Sequence, residues 1–104
     1  MRVNQTERLR RSREFEANQS RLRASQIETM IAQFDRISAD LGQQIDAEET
    51  RARISDPTHF AYPTYAKAAR ERRTKLQWST DALKIELDKL RFEMSEVANP
   101  QVAA

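Results

Sequence analysis

Two stripes of residues, spaced alternately three and four apart, dominate this sequence and restrict it to long helices with one apolar face. The first stripe runs through Ala24, Ile27, Ile31, Phe34, Ser38, Leu41, Ile45, Glu48 and Ala52. As a heptad repeat, its d positions hold Ile27, Phe34 and Leu41, and its a positions hold Ile31 and Ile45. This spacing predicts an amphipathic helix over residues 25–53.

The second stripe predicts a second helix of the same kind. It comprises Ala66, Ala69, Arg73, Leu76, Thr80, Leu83, Leu87, Leu90, Met94 and Val97. We expect this helix to run from Pro63 to about Ala98, because proline suits a first helical turn and the residue before Pro100 disfavours the α conformation. Residues 99–104 are then expected to form a disordered tail.

Residues 54–63, between the stripes, are predicted to form the tip of a hairpin. Asp56 followed by Pro57 predicts a short helical turn there, with the aspartate as its N-cap. The chain has one glycine and lacks the Asn-Gly and Asp-Gly pairs that β-hairpins favour, which argues against β architectures. We therefore predict an all-α fold in which two long helices form an antiparallel coiled-coil hairpin over residues 24–98.

Residues 1–23 form a basic extension, helical or frayed, whose first 20 residues are expected to extend past the partner helix. Its arginines include Arg8, Arg10, Arg11, Arg13, Arg21 and Arg23. Three glutamates interrupt the basic face and would repel phosphate. Three interpretations stay open: contact with an acidic protein, a solvated arm, and a nucleic-acid-binding coiled-coil dimer, with nucleic acid the least favoured.

A second apolar row recurs every seven residues at the heptad f position. On the second helix it comprises Trp78, Ile85 and Phe92, and on the first helix it comprises Phe15 and Leu22. Position f points away from the a/d seam, so these side chains face water in a simple hairpin. Because exposed apolar rows mark interfaces, we predict that these residues bind a protein partner or a second copy of the chain as a homodimer.

Three aromatic residues near the tip, Phe60, Tyr62 and Tyr65, are predicted to form a small cluster that covers the helix ends. The prolyl ring of Pro63 fixes the angle at which the chain enters the second helix. Aromatic rings at this point can shield the unpaired backbone groups of the helix ends.

The composition argues against catalytic and metal chemistry. The chain has no cysteine, a single histidine and no glycine-rich phosphate loop. The paired acids Glu48 and Glu49 are expected on a solvated helix face. We therefore expect no enzyme activity, no cofactor and no metal site. No apolar run approaches the ~18 residues of a membrane span, which predicts a soluble cytoplasmic protein without membrane insertion.

The tip segment, ISDPTHFAYPTYAKAA at residues 54–69, resembles the tip of the FliJ family of flagellar export proteins, in its alphaproteobacterial branch. Gln26-Ile27-Glu28 and the acidic helix that contains Phe34 are also similar, so the resemblance extends over residues 24–90.

This resemblance implies both a fold and a function. FliJ proteins are soluble cytoplasmic parts of the flagellar type III export apparatus, and they are antiparallel coiled-coil hairpins resembling the rotor stalk of rotary ATPases. They engage the export ATPase ring with their terminal end and contact the export gate and substrate chaperones. The resemblance thus implies a non-enzymatic adaptor or chaperone for flagellar protein export, located in the cytoplasm and peripheral at the flagellar base.

Overall fold

The computed structural model describes residues 4–98, with side chains through Glu96, and it contains two α-helices. Helix α1 spans Gln5–Ala52 and helix α2 spans Thr64–Ala98, and residues 4–98 contain no strand. The predicted fold is confirmed: the protein is all-α, and its two long helices form an antiparallel coiled-coil hairpin. The tail predicted at 99–104 and the side chain of Val97 lie outside what the structure describes.

Helix α1 begins well before the first stripe because Asn4 supplies a cap. Its side-chain oxygen Oδ1 accepts a hydrogen bond from the Glu7 backbone N–H at 2.8 Å, and its carbonyl accepts one from the Arg8 N–H at 3.1 Å. Asparagine is among the best N-cap residues, and the Glu7 carboxylate in the first turn favours the helix dipole. Of the two forms predicted for the extension, the structure therefore shows the helical one from Gln5 onward.

Helix α1 ends in a Schellman motif whose left-handed residue is an arginine instead of the usual glycine. Arg53 has a φ of 58° and donates its N–H to the Thr50 carbonyl at 3.3 Å. The Ile54 N–H donates to the Glu49 carbonyl, also at 3.3 Å, which completes the two bonds of the motif. The left-handed conformation costs roughly 1–2 kcal/mol for a residue with a Cβ atom.

The connection between the helices contains two hydrogen-bonded turns. The carboxylate oxygen Oδ1 of Asp56 accepts hydrogen bonds from the Thr58 N–H at 2.9 Å and from its hydroxyl at 2.7 Å. The Asp56 carbonyl accepts from the His59 N–H at 3.1 Å, and the His59 carbonyl accepts from the Tyr62 N–H at 3.0 Å. Asp56 thus starts a turn, as predicted, but the turn does not continue into a helix, because each bond closes a separate turn.

Helix α2 starts at Thr64, one residue later than predicted. The Pro63 carbonyl accepts the first helical hydrogen bond, from the Lys67 N–H at 3.0 Å, so the proline occupies the N-cap position. Ala66 and Ala69 follow on the buried face of the helix. The seam beside the tip is therefore lined by small side chains, as the second stripe predicts.

The contacts separate the chain into two units. We call residues 30–83 the tip unit, and we call residues 4–29 with 84–98 the open-end unit. The core of the tip unit comprises Leu41, Ile45, Ala69 and the partly buried Leu76. The buried apolar residues of the open-end unit include Ala17, Ala24, Ile27 and Leu87.

In both units, burial follows the predicted a and d positions. Leu41 is buried, whereas Phe34, Leu83 and Leu90 are half-buried. Two helices cover each other on one side only, so most seam side chains keep an exposed edge. The buried hydroxyl of Thr80 donates a hydrogen bond to the backbone carbonyl one turn earlier in α2 at 2.9 Å. This polar group therefore has a hydrogen-bond partner although it lies in the seam.

The buried stripe also continues into the basic extension. Ala17 is only 9% exposed and Ser20 is half-buried. The prediction that residues 1–20 extend past the partner helix is therefore wrong for the last turn of that range. The reason is that Ala17 and Ser20 continue the spacing of three and four ahead of Ala24, so the packed face is longer than the first stripe alone indicates.

Candidate interaction surface

Three large apolar side chains of α2 face solvent. Trp78 is 68% exposed, Ile85 is 71% exposed and Phe92 is 62% exposed. All three occupy the f position of a helix whose a and d positions are covered, which is why they point to water. We call these three residues the f row. The structure leaves them accessible, as expected, and their role in binding a partner stays a prediction.

Charged residues border the f row at the b and c positions. Asp81 and Asp88 lie three residues after Trp78 and Ile85, and Lys89 lies four residues after Ile85. All three are exposed, and none of them forms an ion pair with another residue in the described part of the chain. Their charges are therefore available to a partner that covers the f row.

The open-end unit carries further exposed apolar side chains on α1. Phe15 is 64% exposed and Leu22 is 54% exposed, in line with their predicted f positions. Leu9 is 53% exposed, and sequence analysis missed it because it lies outside the f spacing. Leu9 lines an open groove of about 890 Å³ together with Ala17 and Met94.

Glutamates of the same helix partly neutralise the arginines at the start of α1. Arg10 lies 3.6 Å from the Glu7 carboxylate and 3.6 Å from the Glu14 carboxylate, and Arg11 lies 3.1 Å from Glu7. Exposed pairs of this kind contribute little to stability. They do, however, place negative charge beside the arginines, which lowers the attraction of this face for a phosphate backbone.

The remaining arginines of the extension divide into bound and unbound side chains. Arg21 donates to a neighbouring asparagine side chain of α1 at 2.9 Å. Arg23 donates Nε and Nη2 to the two carboxylate oxygens of Glu86 at 2.9 and 3.2 Å, a bidentate pair that joins the two helices within the open-end unit. Arg8 and Arg13 are exposed and form no ion pair with a described residue. The six arginines therefore do not form one uniformly free basic arm.

The predicted cluster of tip aromatics is wrong. Phe60 is 96% exposed and stacks on His59, with ring centroids 4.7 Å apart. Tyr62 is buried, and Tyr65 is more than half exposed, with its hydroxyl donating to Gln44 Oε1 at 2.9 Å. The turns at residues 56–62 direct Phe60 outward and Tyr62 inward, so the three rings do not meet.

Tyr62 instead belongs to a hydrogen-bonded triad that links the tip to both helices, which sequence analysis missed. Its hydroxyl donates to Glu49 Oε2 at 2.8 Å and accepts from Arg70 Nε at 2.8 Å. Arg70 Nη2 closes the triangle by donating to Glu49 Oε2 at 2.9 Å. The guanidinium carbon of Arg70 also lies 5.9 Å from the centroid of the tyrosine ring, within the range of a cation–π contact.

The hydrogen bonds of the triad hold Glu49 and Arg70 in their charged forms. The hydrogen bonds from Arg70 and then from Tyr62 hold the pKa of the Glu49 carboxyl below its usual value. The hydrogen bond to Glu49 raises the pKa of Arg70 in return. Both groups are therefore charged at neutral pH, which suits a structural link and does not suit proton transfer. The expectation that Glu49 lies on a fully solvated face is wrong, because the tip folds over it.

Within residues 4–98, no group of histidine, cysteine, aspartate and glutamate side chains has the arrangement of a metal site. Among the described residues, neither helix combines the length and the apolar character needed to cross a membrane. Compared with known protein families, with characterised proteins and with solved structures, the chain gives no match. A functional assignment therefore depends on these surfaces and on the resemblance of the tip segment.

Proposed function

We propose that this protein is a non-enzymatic coiled-coil adaptor of the flagellar type III export apparatus, which binds the export ATPase through the f row. The observation that carries the proposal is the exposure of Trp78, Ile85 and Phe92 on the face of α2 opposite its packed seam. Apolar rows that face water on a soluble helix are typical of contact surfaces, and tryptophan is enriched among the residues that dominate such contacts.

The resemblance of residues 54–69 to the FliJ family supports the choice of partner. A member of that family contacts the export ATPase, the export gate and substrate chaperones, and an antiparallel hairpin is the fold that these roles would use. The f row lies on α2, the helix that leads from the tip to the open end. We place the ATPase contact on this helix and leave the gate and the chaperones to other surfaces, including Phe15 and Leu22 on α1.

The binding free energy expected from burying the f row is large enough for a specific complex. Burying one large apolar side chain contributes ~1.5–3 kcal/mol before the cost of association is subtracted. Trp78 has the largest side chain of the three, so it should dominate the binding energy. Ile85 and Phe92 then extend the same contact along the helix.

The proposal is tested by titrating the purified full chain against the flagellar export ATPase of the same bacterium. The triple variant Trp78→Ala, Ile85→Ala, Phe92→Ala should keep its helicity by circular dichroism and bind at least ten-fold more weakly. The matched control is Gln77→Ala with Ser79→Ala, two exposed changes beside Trp78 that should leave binding unchanged. Equal affinity of the triple variant and the wild type would refute the f row as the ATPase contact.

The nucleic-acid alternative is addressed by a salt series with double-stranded DNA. A protein that binds DNA through arginines loses affinity steeply as salt rises. We expect weak binding, because glutamates flank Arg10 and Arg11 and because Arg23 is bound to Glu86. Tight DNA binding with a steep salt dependence, in the absence of ATPase binding, would replace the adaptor proposal with the nucleic-acid one.

A further inference from the structure

We infer that the open groove at the beginning of α1 binds an acidic amphipathic helix of a protein partner, which packs along the continuation of the seam face. The groove measures about 890 Å³, and all the residues that line it belong to the open-end unit. None of them is a residue of the f row, so the inference does not depend on the proposed function.

The floor of the groove consists of core positions of the heptad repeat. Counting back from Ile27, Thr6 and Arg13 occupy d positions and Arg10 occupies an a position. Further along α1, the same face is packed in the hairpin, and Ala24 and Ile27 are buried there. Thr6, Arg10 and Arg13 are instead exposed. A helix is the shape that fits this face, because α2 already covers the following turns in the same way.

The charge of the groove selects an acidic occupant. Three arginines line it, Arg10, Arg13 and Arg21, together with a single glutamate, Glu14. Arg21 donates to a neutral asparagine side chain, and neither Arg13 nor Arg21 forms an ion pair with another described residue. An arginine at a core position of a helix pair gains a charge-assisted hydrogen bond when the facing helix supplies a carboxylate. The occupant therefore carries glutamate or aspartate where it faces Arg10 and Arg13.

The apolar part of the groove favours a protein helix over nucleic acid. Leu9, Ala17 and Met94 line it, and the aliphatic stems of the arginines add further apolar surface. A DNA backbone carries a charge about every 1.7 Å and has no apolar face to cover these side chains, and Glu14 would repel it. An amphipathic helix offers an apolar stripe with carboxylates beside it, which matches both parts of the groove.

Binding of a designed peptide to the full chain tests the inference. The probe is a fluorescently labelled peptide of about three heptads with leucine at d and glutamate at a, and the control peptide has lysine in place of each glutamate. Fluorescence anisotropy should show that the glutamate peptide binds about ten-fold more tightly than the lysine peptide. A glutamate peptide that does not bind, or that binds no more tightly than the lysine peptide, would overturn the inference.

Two pairs of arginines locate the binding site. Arg10→Ala with Arg13→Ala should keep the helicity, because both side chains are exposed, and should weaken binding of the glutamate peptide about ten-fold. The matched control, Arg8→Ala with Arg11→Ala, removes the same charge from the same helix outside the groove and should change the affinity less than about two-fold. Arg10→Glu with Arg13→Glu should reverse the preference in favour of the lysine peptide. Equal losses in the two alanine pairs would show that net charge, and not the groove, attracts the peptide.

Other occupants of the groove would give different results, each of which contradicts the inference. A dimer in sedimentation experiments that is lost in Arg10→Ala with Arg13→Ala would assign the groove to a second copy of the chain. Peptide binding that becomes at least ten-fold tighter when residues 99–104 are removed would assign it to that segment. Displacement of the peptide by an equimolar DNA duplex would assign it to nucleic acid.

The triple f-row variant separates this inference from the proposed function. It should bind the glutamate peptide as tightly as the wild type, whatever its affinity for the ATPase. A triple variant that loses the peptide would place the peptide on the f row and refute the groove as its site. Conversely, loss of peptide binding in Arg10→Ala with Arg13→Ala supports the groove even if the f row proves not to bind the ATPase.

Discussion

Replacing Gly42 with alanine should stabilise the protein by about 1 kcal/mol. Glycine inside a helix is ~0.8–1.0 kcal/mol less favourable than alanine, and Gly42 lies well within α1. Its φ is not in the left-handed region, so an alanine fits the backbone. The added Cβ would lie 3.5 Å from Arg73 Nη1, an ordinary contact with the far end of a flexible side chain. The gain in helix propensity is therefore not offset by a clash.

Thermal unfolding followed by far-UV circular dichroism measures this gain. A stabilisation of 1 kcal/mol raises the Tm of a domain of this size by about 4–8 °C. The matched control is Gln43→Ala at the exposed neighbouring position, which should change the free energy of unfolding by less than about 0.5 kcal/mol. A lower Tm for Gly42→Ala would show that the Arg73 side chain needs the space above the glycine, and it would refute the reasoning.

Three further predictions concern the tip and the seam. Arg53→Gly should raise the free energy of unfolding by about 0.5–1 kcal/mol in urea titrations, because glycine adopts the left-handed conformation without a Cβ clash. A lower free energy of unfolding would mean that the arginine side chain stabilises the helix end. Ile45→Ala should lower the free energy of unfolding by about 3 kcal/mol because Ile45 is fully buried, and Leu83→Ala should lower it by about half as much because Leu83 is half-buried. Equal losses of stability in the same urea titrations would contradict the burial pattern. The lowered pKa of Glu49 contributes stability that is present above its unfolded value of 4.5 and is lost as the pH falls towards the folded value. The urea concentration at the midpoint of unfolding should therefore decrease when the pH is lowered below about 4.5. Glu49→Gln should make that decrease smaller.

The seam could be predicted from the sequence because it depends on a single periodic property. Alternating steps of three and four place Leu41, Ile45 and Leu87 on one side of each helix, and the structure buries these side chains. The exposure of Trp78 and Ile85 follows from the same periodicity, since position f lies opposite the seam. Helical repeat and apolar character were therefore sufficient for the fold and for the candidate surface.

The tip could not be predicted in the same way, because its contacts join residues that no local pattern relates. The ion pair of Glu49 with Arg70, and the burial of Tyr62 beside it, depend on the path of the two turns between the helices. The left-handed Arg53 carries no sequence signal, since glycine is the usual residue at that position. Phe60 was wrongly placed because aromatic character alone does not distinguish the outer corner of a turn from the inner one.

The triad at the tip also sets the order in which the chain should fold. Its hydrogen bonds join residues 13 and 21 positions apart, whereas the Arg23–Glu86 bond joins residues 63 positions apart. The entropy lost on closing a loop grows with the length of chain enclosed, and contacts between residues close in sequence form sooner. Folding should therefore nucleate at the tip. Tyr62→Phe should then slow refolding, whereas Arg23→Ala should leave the refolding rate unchanged and accelerate unfolding.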